Sequence, residues 1–149
     1  MRAVVQRVTD AKVTVDGVVT GSIGQGFCVL LGVETGDEFK DIDYMVEKVS
    51  GLRVFDDENG VMNRSIIDSG GEILSISQFT LLGDVRHGKR PSWIMAERPE
   101  RANKLYKLFN EGLRARGIKV EEGVFQAEML VEIHNDGPVT ILLDSRKTF

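Results

Sequence analysis

The chain has 149 residues, with 42% apolar and 28% charged side chains and a formal net charge of −4. That length suits one domain with a core of its own, so residues 1–149 are read as a single unit. The acidic balance argues against nonspecific coating of nucleic acid, the single cysteine excludes an intrachain disulfide, and no run approaches the roughly 20 apolar residues of a membrane-spanning helix.

Met1 to Val8 alternates like a strand rather than reading as a secretory leader. Lys12 to Thr20 sets two β-branched runs about Asp16-Gly17, a pair suited to the positive φ of a type I′ hairpin turn. Gly21, Gly24 and Gly26 precede a strand, not a helix, so they predict a turn and not a dinucleotide-binding loop. Phe27 to Val33 is an apolar strand buried on both faces, with Cys28 as a core thiol. Phe39, Ile42, Met45, Val46 and Val49 recur at helical spacing and predict a helix over 37–50. Leu52 to Phe55 reads as a strand, and Asp57-Glu58-Asn59-Gly60 as a turn. Glu72 to Leu82 reads as a central strand, followed by a polar loop from Gly83 to Arg98. Pro99 suits the first turn of a helix whose buried face is Leu105, Leu108, Phe109 and Leu113, with Gly117 at its C-terminal end. Ile118 to Val120, Leu130 to His134 and Val139 to Leu143 complete the strands. The pattern is mixed α/β: a curved, mostly antiparallel, barrel-like sheet of about eight strands with two main helices. Two helices cover only part of such a sheet, and the remainder must close on itself or pair with a second subunit; a homodimer is expected.

Two segments end apolar runs with small polar or Gly-Pro residues. Ser77-Gln78-Phe79-Thr80-Leu81 closes one strand, and its backbone N–H groups and Thr80 hydroxyl either face solvent or serve as donors to a developing oxyanion. Asn135-Asp136-Gly137-Pro138-Val139-Thr140 is either a turn between the last two strands or a source of carbonyl acceptors for an ammonium group. Metal binding is not expected, because only His87, His134 and Cys28 are available and no ligand spacing appears. A Ser77–His87 dyad lacks an orienting partner and a nucleophile elbow. Charge is uneven: residues 86–107 hold seven Lys or Arg against Glu97 and Glu100, a local +5 that leaves −9 for the rest of the whole-chain −4. Arg86, Lys89 and Arg90 in that segment are either a solvated surface or a phosphate-binding patch.

The two segments resemble the SQFTL and NxGPxT motifs of the D-aminoacyl-tRNA deacylase family. The resemblance extends from residue 1 to residue 149 and includes Met1 to Val8, Arg90-Pro91-Ser92 and Phe125-Gln126-Ala127-Glu128-Met129. It implies a homodimer that hydrolyses the ester between a D-amino acid, or mischarged glycine, and the terminal adenosine of tRNA; no cofactor is expected, and a reducing cytoplasm is the default compartment. It also implies that the active site lies at the subunit interface, with a cis Gly137-Pro138 of one subunit reaching into the pocket around Ser77 to Thr80 of the other. Gly137 and Pro138 would hold the ammonium and exclude an L side chain, and the Phe79 and Thr80 amides would meet the oxyanion. Phe125 and Met129 would bound the adenosine, with Gln78 nearby. Either Thr80 is the nucleophile or water attacks with help from the substrate's 2′-hydroxyl; the absence of a neighbouring base favours water. A non-catalytic module binding nucleic-acid ends and an unselective esterase are the rival readings.

Overall fold

The computed structural model describes residues 1–149. In chain order the elements are β1 (Arg2–Val15), β2 (Val18–Ile23), β3 (Gly26–Gly32), α1 (Phe39–Gly51), β4 (Phe55–Asp56), β5 (Met62–Arg64), α2 (Ile66–Ser69), β6 (Glu72–Ser77), α3 (Pro99–Ala115), β7 (Val120–Glu122) and β8 (Leu130–Asp144). The β1–β2 hairpin turns through Asp16 and Gly17, whose φ values of 49° and 78° suit an Asp-Gly pair.

β1 organises the sheet. One of its edges pairs first with β3, from Arg2↔Gly32 to Val8↔Gly26, and then with β2. Its other edge pairs with β8 along nearly its whole length, from Arg2↔Asp144 to Thr14↔Leu130. β6 lies parallel to β3, and β7 parallel to β6, giving the order β2-β1-β3-β6-β7 with β8 beside β1. The sheet curls until β2 approaches β7. A Cβ on Gly21 would lie 2.8 Å from the Glu122 carbonyl oxygen, so only glycine permits this near-closure into a barrel.

The curl explains why β3 is buried on both faces. Phe27, Val29 and Leu31 face a core shared with Ile42, Met45 and Val49 of α1 and with Leu105, Phe109 and Leu113 of α3. Cys28 faces the inside of the curl with Val8, Val13, Ile23, Leu74 and Ile76. Pro99 begins α3, where its missing N–H costs nothing, and Gly117 follows the helix end with φ 84°.

Five expectations need correction. The strand expected to run from Glu72 to Leu82 stops at Ser77, and Phe79–Leu82 forms a 3-10 turn. The strands expected at Leu130–His134 and Val139–Leu143 are one strand, β8, and no turn separates them. The register against β1 slips at Gln6/Val8 and again at Val8/Asp10, so Asp136 to Val139 bulge out of a continuing ladder. Leu52 to Val54 is irregular, with strand only from Phe55, and the strand placed at Ile118 begins at Val120. Phe39, counted among the apolar face of α1, is 65% exposed at the helix start. The short α2 adds a third helix, capped by Ser65 and Asp68.

Candidate active site

Ser77 is the last residue of β6, held in line by parallel pairing with Leu31. The Gln78 N–H still donates to the Leu31 carbonyl, at 2.8 Å. The chain then tightens, and Leu81 and Gly83 donate back to Gln78 and Thr80. Phe79 and Thr80 therefore occupy the first two positions of a 3-10 turn, where amides have no acceptor within the turn. These two N–H groups are directed donors fixed by the backbone. The Thr80 hydroxyl accepts from the Gln78 side-chain amide, and no carboxylate or imidazole hydrogen-bonds to it. His87 makes no hydrogen bond to Ser77, so the dyad is absent. No three His, Cys, Asp or Glu side chains gather into a metal site.

A cavity of about 720 Å³ opens beside this turn. It brings together Ser77, Gln78 and Phe79 with Phe125 and Met129, residues far apart in the chain. Phe125 is backed by Tyr106 of α3, whose ring lies 6.3 Å away at 28°. Tyr106 is buried, and its hydroxyl donates to the Ser75 carbonyl at 2.7 Å. Burial pushes its pKa up to about 12. Thr80, Gly137 and Pro138 do not line the cavity.

The basic loop divides by pairing. Arg86 is committed to Asp84 through two contacts, of 2.9 and 2.7 Å, and this guanidinium holds the Asp84 carboxyl well below the usual carboxylate range. Arg101 pairs with Glu97 and Lys107 with Glu122. Lys89 and Arg90 are exposed and make no ion pair, so they are the free cations of the three residues read as a phosphate patch.

The Gly137-Pro138 bulge projects from β8, and both residues are exposed. Their peptide bond is cis. Beneath them lies Arg7, only 9% exposed. Its Nη1 donates to the Val54 carbonyl at 2.6 Å, and its Nε reaches the Asp136 carbonyl and carboxylate, each at 3.3 Å. A Cβ on Gly137 would lie 2.9 Å from Val139 Cγ2 and 3.2 Å from Arg7, and the φ of 119° also disfavours a side chain there.

Arg7, Trp93 and Tyr106 are site residues that sequence reasoning missed. Arg7 had a signal: Met1, Ala3 and Val5 are buried in alternation, and Arg7 falls at the next inward position. A charge on an inward position needs a partner. Tyr106 lies one residue beyond Leu105 on the same buried side of α3. Trp93 carried no periodic signal, because its loop has no period.

Comparisons agree along the whole chain. A family model described as D-Tyr-tRNA(Tyr) deacylase matches residues 4–144. The D-aminoacyl-tRNA deacylase of Symbiobacterium thermophilum is 60% identical over 149 residues, covering 100% of this chain and 99% of that one. That of Koribacter versatilis is 58% identical, covering 100% of both. A solved structure described as c-Myc DNA Unwinding Element Binding Protein superposes with a TM-score of 0.91 at 46% identity, covering 97% of this chain and 98% of that one. A probable eukaryotic D-amino acid tRNA deacylase superposes with a TM-score of 0.81 at 17% identity, covering 95% and 97%, and speaks to the fold alone.

Proposed function

The chain belongs to the D-Tyr-tRNA(Tyr) deacylase family and is a hydrolase of the D-aminoacyl-tRNA ester bond; we propose that it works as a homodimer in which each cavity is completed by the partner's bulge. The observation that carries this site assignment is the meeting of Ser77, Gln78, Phe79, Phe125 and Met129 in one cavity beside two unbonded amides. Support for two copies comes from β8, a long strand paired only on its β1 side, with Leu130 and Leu142 exposed.

The terminal adenosine lies between Phe125 and Met129, with Gln78 at its edge. The ester carbonyl faces the Phe79 and Thr80 amides, which stabilise the oxyanion that forms as water attacks. The 3′-oxygen leaves, and the 2′-hydroxyl of the same ribose assists proton transfer. The Thr80 hydroxyl is not the nucleophile in this scheme: its neighbour is an amide donor, not a base. Ser77 fixes the strand end from which these groups depart. The partner's Gly137 and Pro138 carbonyls accept from the substrate ammonium and occupy the space an L side chain needs, so selectivity comes from exclusion. Glycine has no side chain to exclude, and mischarged glycyl-tRNA is accepted by the same geometry. Lys89 and Arg90 meet acceptor-stem phosphates, with Arg86 contributing less because Asp84 neutralises it. Work in the cytoplasm follows from a substrate used in translation.

Incubation with D- and L-tyrosyl-tRNA tests this reading. Release of D-tyrosine alone is expected. Release of neither would leave a binding module, equal release would leave an unselective esterase, and either result overturns it.

A further inference from the structure

We propose that Phe79 and Trp93 form a stacking platform for the unpaired nucleotide preceding the terminal adenosine, so that the site reads the single-stranded RNA end and not the adenosine alone. This rests on the reading above, in which the adenosine occupies the adjoining cavity. The two rings meet edge to face, 5.2 Å apart at 69°, and both line the cavity. Phe79 is 56% and Trp93 41% exposed, and Ile94 beside them is 83% exposed.

The loop that presents Trp93 is anchored. Asp84 and Ser92 exchange two backbone hydrogen bonds of 2.9 Å, and Thr35 donates to the Met95 carbonyl at 2.9 Å. Trp93 itself lies over Gly83, where a Cβ would come within 2.7 Å of the indole ring. A large apolar surface is therefore held toward water on a braced backbone, which suits a flat ligand that arrives and leaves.

Charge identifies that ligand as an anionic strand. Arg98 lines the cavity with the two rings, Lys89 and Arg90 belong to the same loop as Trp93, and all three are exposed without an ion pair. Aromatic faces beside free cations are the combination that binds single-stranded nucleic acid, each base stacking while the backbone follows the charge.

Trp93 is the chain's only tryptophan, so its fluorescence reports on the platform directly. The trinucleotide cytidylyl-cytidylyl-adenosine should quench it, whereas adenosine 5′-monophosphate at equal occupancy should leave most of the emission. Quenching by both alike, or by neither, overturns the proposal, as does emission that responds to protein concentration but not to RNA. Trp93→Ala should raise KM for D-tyrosyl-tRNA about tenfold more than KM for the D-tyrosyl ester of adenosine, with Trp93→Phe restoring most of the difference. An equal rise for both substrates sinks the platform and leaves the deacylase reading intact. Failure of the unaltered protein to cleave either ester sinks that reading, and the fluorescence titration still decides the platform.

Discussion

The cavity and the Gly137-Pro138 bulge are held in place by different physics. The cavity is made by apolar packing: Phe125 rests on Tyr106, and Ser77 and Gln78 are set by parallel pairing of β6 with β3. The bulge is made by a charge: Arg7, buried under β8, ties Asp136 of that strand to Val54 in the irregular segment before β4. Packing tolerates small losses at a cost in substrate affinity, whereas removing this buried cation takes away the bulge's anchor and leaves the Val54 carbonyl without its donor. The two regions should respond to mutation with different symptoms.

Arg7→Leu should have the largest effect. It strands the buried Val54 carbonyl and removes the charge-assisted bond to Asp136, and should lower unfolding free energy by about 2–3 kcal/mol in a urea titration. D-tyrosine release should fall further than the unfolded fraction accounts for. Gly137→Ala comes next, costing about 1–3 kcal/mol through its positive φ and the contacts with Val139 and Arg7. Its signature is lost activity with the cavity intact, readable as unchanged binding of adenosine 5′-monophosphate by the separate protein. Phe125→Ala acts on the other region: KM for D-tyrosyl-tRNA should rise about tenfold with a smaller change in kcat, because a stacking surface is lost and the amide donors are not. Thr80→Ala should retain turnover within about tenfold of the parent, since a hydrogen-bond partner of Gln78 disappears and no nucleophile does. A complete loss of turnover in a folded Thr80→Ala protein would reinstate the covalent route.

The smallest effect is on pH dependence. Burial pushes Cys28 from an ordinary 9.0, and Tyr106 from an ordinary 10.0, each up to about 12. The unfolded chain releases these protons first, so their contribution to stability is complete below pH 9 and is lost as pH rises towards 12. Tyr106→Phe should flatten the alkaline limb of the melting temperature plotted against pH.

Elements with a strong local pattern were legible in the sequence. Asp16-Gly17 marked a hairpin, the apolar run from Phe27 marked the doubly buried strand, and Pro99 marked a helix start. The misreadings fall where tertiary pairing overrides pattern. Nothing local distinguishes a strand that ends at Ser77 from one that continues to Leu82, because Phe79 and Leu81 keep the alternation while the chain coils into a 3-10 turn. Asn135 to Pro138 has the composition of a turn, yet β1 supplies a partner on both sides of it and the strand resumes. These errors bear on the chemistry. The 3-10 turn leaves the Phe79 and Thr80 amides unbonded, and the bulge, unlike a turn, keeps Gly137 and Pro138 on the free edge of the sheet.

Subunit complementation tests the central claim, that each site takes its two regions from different copies. Phe125→Ala and Gly137→Ala proteins would be mixed, dissociated and reassembled, and D-tyrosine release measured with substrate well below the parent KM, where both variants are slow. If the regions come from different copies, one site of each mixed dimer carries both substitutions and the other carries neither, restoring about a quarter of the parent activity. Activity no greater than the average of the two separate variants would contradict the account.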